Sequence, residues 1–155
     1  MTSYSALAPV SAGIFGALNT PAFLAIAPGG AVDDVPQSAL FPVVLYELAE
    51  RPQAAFGVQP GVAGAVTEID GTVHVYSQYG GLLEAQTVLA KVVELLTPRP
   101  TVAGFASWAI FFDEAIAVGD ELLGGVKVKE LVAKFRLYVE TLTGAAPFID
   151  DGWVQ

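Results

Sequence analysis

His74 alternates along one face of the segment Thr67–Ser77 with Glu68, Asp70, Thr72 and Tyr76, and an imidazole among carboxylates is the arrangement of a general base. A solvated strand face accounts for the same residues, because no Ser or Cys nucleophile setting accompanies His74. Asp33-Asp34 and Asp150-Asp151 offer hard oxygen ligands to Ca²⁺ or Mg²⁺. Neither pair belongs to an EF-hand loop or another spaced set, so no dedicated metal site is expected. One histidine and no cysteine exclude His-rich and thiolate sites, and also disulfides. Gly80-Gly81 precedes a helical pattern whose backbone amides could hold an anion. Without the Rossmann spacing or a Walker A lysine, it reads as a plain strand-to-helix turn. No catalytic, cofactor-binding or metal residue is assigned, no cofactor is expected, and the chain is read as a non-enzyme. The enzymatic alternative is a small acidic enzyme using His74 and nearby carboxylates.

The elements that position these groups follow from periodicity. Ser11 to Leu18, with Ile14, Phe15 and Leu18 at spacings of three and four, predicts an amphipathic helix that begins near Pro9 and stops at Asn19-Thr20-Pro21. A short helical turn, Ala22 to Ile26, follows, and Ala31 to Gln37 is an extended lead-in in which Val35-Pro36 disfavours helix. Val43 to Tyr46 is the first strand. Glu50 to Gly64 is a long Gly/Pro loop, and Thr67 to Ser77 is a strand with Ile69, Val73 and Val75 on its apolar face. Leu82 to Leu96 is the strongest helix, with Leu82, Ala85, Leu89, Val92 and Leu96 in one stripe. Phe105 to Val118 predicts a third strand, with turns at Gly119-Asp120 and Gly124-Gly125. The last strand, about Lys129 to Glu140, places Leu131, Ala133, Phe135, Leu137 and Val139 inward, and Glu130, Lys134, Arg136, Tyr138 and Glu140 outward. The expected fold class is α+β: a mainly antiparallel sheet of about four strands with two helices packed on one face. Residues 1–141 form one domain in this reading, and 142–155 form a C-terminal arm.

At 155 residues the chain is long enough for one domain that buries about 70% of its unfolded surface. Apolar residues make up 54% and charged residues 15%, against about 25% charged in an ordinary soluble domain, so some of the excess faces a partner. A net charge of −9 argues against gripping a phosphate backbone, yet a like-charged wall leaves a polyanion free to slide. Met1 to Val32 carries no charged side chain, but Pro9, Pro21 and Pro28 interrupt it and no basic segment precedes it. Neither a signal peptide nor a membrane span is expected.

Two segments read as surfaces. Phe56 and Val58 are apolar groups in the long loop, either contacts or part of a mobile connection. In the tail, Phe148, Ile149 and Trp153 alternate with Asp150-Asp151, which favours docking onto a neighbour over fraying. These five are the candidate interface residues.

The order of elements, with Asp34-Val35-Pro36-Gln37 leading to Phe41-Pro42-Val43-Val44-Leu45, resembles the tail-completion, or tail-terminator, family of long-tailed bacteriophages. Val73-His74-Val75-Tyr76-Ser77 followed by Glu84-Ala85 in the Leu82–Leu96 helix is similar to the family's strand-then-helix centre. Val132-Ala133-Lys134-Phe135-Arg136-Leu137-Tyr138-Val139 resembles its closing strand, so the resemblance covers about residues 8–141. It implies a non-enzymatic subunit of a homo-hexameric ring that caps the tail tube and joins it to the head connector. Genomic DNA would pass through without sequence-specific binding. The implied partners are further copies of the chain, the tail tube protein and a head-closure or connector protein, with no membrane. The implied location is the tail or neck of a virion assembled in the bacterial cytoplasm. A head-closure stopper or tube subunit is the nearest alternative.

Size is compatible with such a ring. A compact chain of this length has a radius of gyration near ~15 Å, hence a diameter of roughly 38 Å. Six touching discs leave a gap one disc wide, enough for a duplex about 20 Å across. Closure requires a head-to-tail interface. Six copies at −9 each carry −54. Glu68 and Asp70, on the outward face of the second predicted strand, are the candidate residues lining the DNA passage.

Overall fold

The computed structural model describes residues 5–52, 64–123 and 125–142. In chain order the elements are α1 (Leu7–Leu18), α2 (Pro21–Ile26), β1 (Ala31–Val32), β2 (Val43–Pro52), β3 (Val66–Ser77), α3 (Leu83–Leu96), β4 (Phe105–Leu123) and β5 (Val126–Thr141). The strands form one sheet in the order β1-β2-β3-β5-β4. Every pairing is antiparallel except β1 with β2.

The helices begin where their backbone donors find acceptors. At α1, Pro9 falls in the first turn, where its missing N–H costs nothing, so the helix starts at Leu7, two residues before the expected start near Pro9. Glu50, from β2, accepts the Ala6 N–H at 3.2 Å and the Ser5 hydroxyl at 2.5 Å, placing an acid at that positive helix end. Thr20 caps α2, its Oγ1 accepting from the Phe23 N–H at 3.2 Å, with Pro21 at the first helical position. In α3 the buried stripe is Ala85, Val88, Leu89, Val92 and Leu96, close to the sequence expectation.

One face of the sheet carries all three helices. Val10, Ile14 and Leu18 of α1, Phe23 of α2 and the α3 stripe pack on Val44 and Tyr46, on Ile69, Val73 and Val75, and on Leu131 through Val139 of β5. The expected inward residues of β5 are all buried. A smaller cluster of Val43, Tyr76 and Val128 gathers Val32, Val35, Phe41, Leu45 and Leu123 at one end of the sheet.

The expected α+β class holds, but the sheet is larger than four strands and there are three helices, not two. The lead-in contains β1, held because Asn19 at the end of α1 bonds both backbone groups of Ala31, at 2.8 and 2.9 Å. β2 runs to Pro52, beyond Tyr46, because β3 pairs with it from Val43↔Tyr76 to Pro52↔Thr67. That tertiary ladder overrides the weak strand preference of Glu47-Leu48-Ala49-Glu50. β4 continues through Gly119-Asp120 to Leu123, where a turn was expected. Register shifts skip Trp108, Asp113 and Val118, and Gly119, at φ +103°, absorbs the last of these bulges.

Candidate functional site

The sheet face opposite the helices gathers most of the groups the sequence singles out. From β3 it carries Glu68, Asp70, Thr72, His74 and Tyr76, and from β5 it carries Glu130, Lys134, Arg136, Tyr138 and Glu140.

His74 is not an exposed strand residue. Its Nδ1 lies 2.6 Å from Glu130 Oε2 and its Nε2 lies 2.7 Å from Glu47 Oε1, while its ring stacks on Tyr76. Glu130 is 6% exposed, so this is a largely buried pair with a solvated second arm. In this arrangement neither nitrogen is free to take a proton from a substrate. The carboxylates beside His74 are Glu47 and Glu130, from neighbouring strands, and not Glu68 and Asp70.

Glu68 and Asp70 are engaged elsewhere on the same face. Asp70 pairs with Arg51 of β2, and Glu68 accepts from the Tyr138 hydroxyl at 3.0 Å. Tyr138 in turn accepts from Arg136 at 3.1 Å, and Asp113 grips Arg136 through three bonds of 3.0–3.2 Å. The guanidinium also lies 5.3 Å from the centre of the Phe111 ring. Hydrogen bonding to Asp70 and then burial push the Glu68 carboxyl above its ordinary value, against the opposing Tyr138 bond. Arg136 holds Asp113 below the ordinary carboxylate value, and Lys129 with Lys127 does the same for Asp120.

These directions give opposite pH dependences. Asp113 and Asp120 contribute stability above the ordinary aspartate value of 3.8, and it is lost as the pH falls through their lower folded values. Glu68 contributes stability in acid, and it is withdrawn as the pH rises from 4.5 through the higher folded value. Glu68→Gln is therefore expected to raise the urea midpoint relative to the parent near pH 7 and to leave it almost unchanged near ~pH 3.5. Denaturation curves at the two pH values check this; a gain confined to acid would reverse the assignment.

β4 forms the sheet edge and presents Trp108, Phe111, Ile116, Val118 and Leu122 as exposed apolar side chains. The Trp108 indole N–H donates to Glu140 at 2.7 Å. Bulges near every fifth residue make the outer edge a poor template for another strand, so β4 offers side chains more than backbone. The first bulge leaves Trp108 exposed, while Ile110 and Phe112 pack on the core. The candidate interface residues Phe56, Val58, Phe148, Ile149 and Trp153 lie outside the described residues.

At Gly80-Gly81 the start of α3 is served by its own acid: Glu84 sits in the first turn and accepts from Ser77 Oγ at 2.6 Å. Among the described residues no group of three or more His, Asp or Glu side chains is disposed to hold a metal, and no helix is long and apolar enough to cross a membrane.

A family model described as tail completion protein gp17 matches residues 12–140, from the second turn of α1 almost to the end of β5. The chain belongs to that tail completion family. It is accordingly a structural tail component. The fold is shared with a chain from the virion of a native gene transfer agent particle, at a TM-score of 0.69 and 19% identity, covering 89% of this chain and 99% of that one. No curated protein sequence matches the chain. Membership of the tail completion family places the resemblance seen in the sequence on nearly the whole sheet and its helices.

Proposed function

We propose that the chain is the subunit of a six-membered ring that caps the tail tube and joins it to the head connector, with the genome passing through its centre. The observation that carries this reading is the family match over residues 12–140, which takes in most of α1, both other helices and nearly the whole sheet. The apolar side chains of β4 supply a surface suited to burial against a neighbouring copy, tube protein or connector. A head-to-tail ring needs two different surfaces per subunit, and the molecule has two: the β4 edge and the opposite side of the sheet, where β2 extends past the two-residue β1.

The helix-free face, acidic on balance, is the candidate wall of the passage, with Glu68 and Asp70 on it. Their pairing with Tyr138 and Arg51 holds the acids in place while limiting the free negative charge they present. Such a wall repels a polyanion weakly and offers few cations to bind it. The partners are the tube protein and a head-closure or connector protein, the location is the virion neck, and assembly takes place in the host cytoplasm.

Particles produced without this chain are expected to yield separate heads and tails, and adding the purified chain should restore joining. Normally joined particles in its absence would remove the proposed role.

A further inference from the structure

A groove of about 580 Å³ opens at the end of the sheet where β4 turns into β5. Its walls are Val35, Pro36, Leu40 and Phe41 from the segment before β2, with Gln78 after β3 and Leu123 at the end of β4. The groove adjoins the smaller apolar cluster, and Leu40 on its rim is 64% exposed. Beyond Gln78 stand Lys127 and Lys129, two ammonium groups sharing one carboxylate, Asp120, at 3.2 and 2.6 Å. An apolar slot beside two lysines fits a segment in which large apolar residues adjoin acids. The sequence contains one: Phe148-Ile149-Asp150-Asp151-Gly152-Trp153.

Chain length decides which copy supplies it. The described chain ends at Leu142, just past Thr141, which pairs with Phe105 at the opposite end of the sheet from Leu123↔Val126. At about 3.3 Å per residue, β5 separates Leu142 from the groove by roughly 45–50 Å. Phe148 lies six residues beyond Leu142 and reaches at most about 22 Å; Trp153, eleven residues beyond, reaches at most about 40 Å. Phe148 and Ile149 therefore fall short of their own chain's groove.

We propose that the C-terminal arm of one copy docks in the groove of a neighbouring copy, with Phe148 and Ile149 between Leu40, Phe41 and Leu123, and Asp150-Asp151 facing Lys127 and Lys129. The inference rests on the proposed assembly of several copies and specifies one of its contacts. It makes the arm a tie between adjacent subunits. It also gives the head-to-tail arrangement two unlike partners, an arm end and a groove end, as ring closure demands.

The absence of cysteine permits a direct test. Full-length chains carrying Leu40→Cys and Phe148→Cys, with different tags, are mixed in concentrated solution and co-assembled in particles, then gently oxidised. A disulfide forms only where the two Cα atoms come within about 7 Å. The expected major product is a 40–148 link between differently tagged chains, at least ten-fold above that from a Leu83→Cys control at the exposed start of α3. Adding Lys127→Glu and Lys129→Glu should lower the yield several-fold. Absence of the link in both preparations, or a link closing within single chains when one chain carries both Leu40→Cys and Phe148→Cys, overturns the proposal. A six-fold ring without the link defeats the docking and leaves the proposed function standing. Linked chains found away from the tail end do the reverse.

Discussion

Phe135→Ala is expected to lower the unfolding free energy by about 3–5 kcal/mol, a large share of the roughly 5–15 kcal/mol of an ordinary domain. Phe135 is 1% exposed at the middle of β5, and its ring lies across Gly71, its pairing partner on β3. A Cβ built on Gly71 would fall within that ring. Phe112 of β4 approaches from the other side, with ring centres 5.7 Å apart. One side chain thus packs three adjacent strands together, and its removal leaves a cavity that the glycine cannot fill. The complementary change, Gly71→Ala, displaces the ring and is expected to cost about 1–3 kcal/mol. Pairing it with Phe135→Leu should recover part of that loss. Urea denaturation reads all three; an unchanged midpoint for Phe135→Ala would contradict the packing described.

The second large effect is electrostatic. His74→Ala leaves the Glu130 carboxyl, 6% exposed, without its imidazole hydrogen bond, and orphaning a buried polar group in this way costs about 1–3 kcal/mol. The Glu47 arm is solvated and adds little, about 0–1 kcal/mol. His74→Ala combined with Glu130→Gln removes the stranded carboxyl and should regain much of the loss. Thermal and urea unfolding at neutral pH measure both variants. A catalytic base would behave in the opposite way, with His74→Ala abolishing turnover and leaving stability near that of the parent.

What could be read in advance depended on whether the information was local. β5 was legible because Leu131, Ala133, Phe135, Leu137 and Val139 alternate with Lys134, Arg136 and Tyr138, so a slip of one residue would bury Lys134 and Arg136. α3 was legible from its apolar stripe. The second half of β2 was not, since Glu47 to Glu50 become strand only through the ladder with β3. The bulges at Trp108, Asp113 and Val118 carry no local signal apart from Gly119, and they decide which β4 side chains face solvent. Alternation along β3 sets His74 beside Glu68 and Asp70 on a solvated face, and the structure gives it other carboxylates. Its partners, Glu47 and Glu130, belong to strands 27 and 56 positions away, so only the sheet register could name them. The resemblance to tail completion proteins survived these gaps because it rested on the start of β2 with its lead-in, on β3, on α3 and on β5, whose patterns are local.

The most direct measurement of the central claim is an image reconstruction of intact particles at a resolution that traces β4 and β5. The account predicts six copies of this fold between the end of the tail tube and the head connector, with the helix-free sheet faces bordering a passage wide enough for duplex DNA. A different copy number at that junction, a position along the tube or in the capsid, or no copy in the particle would contradict it.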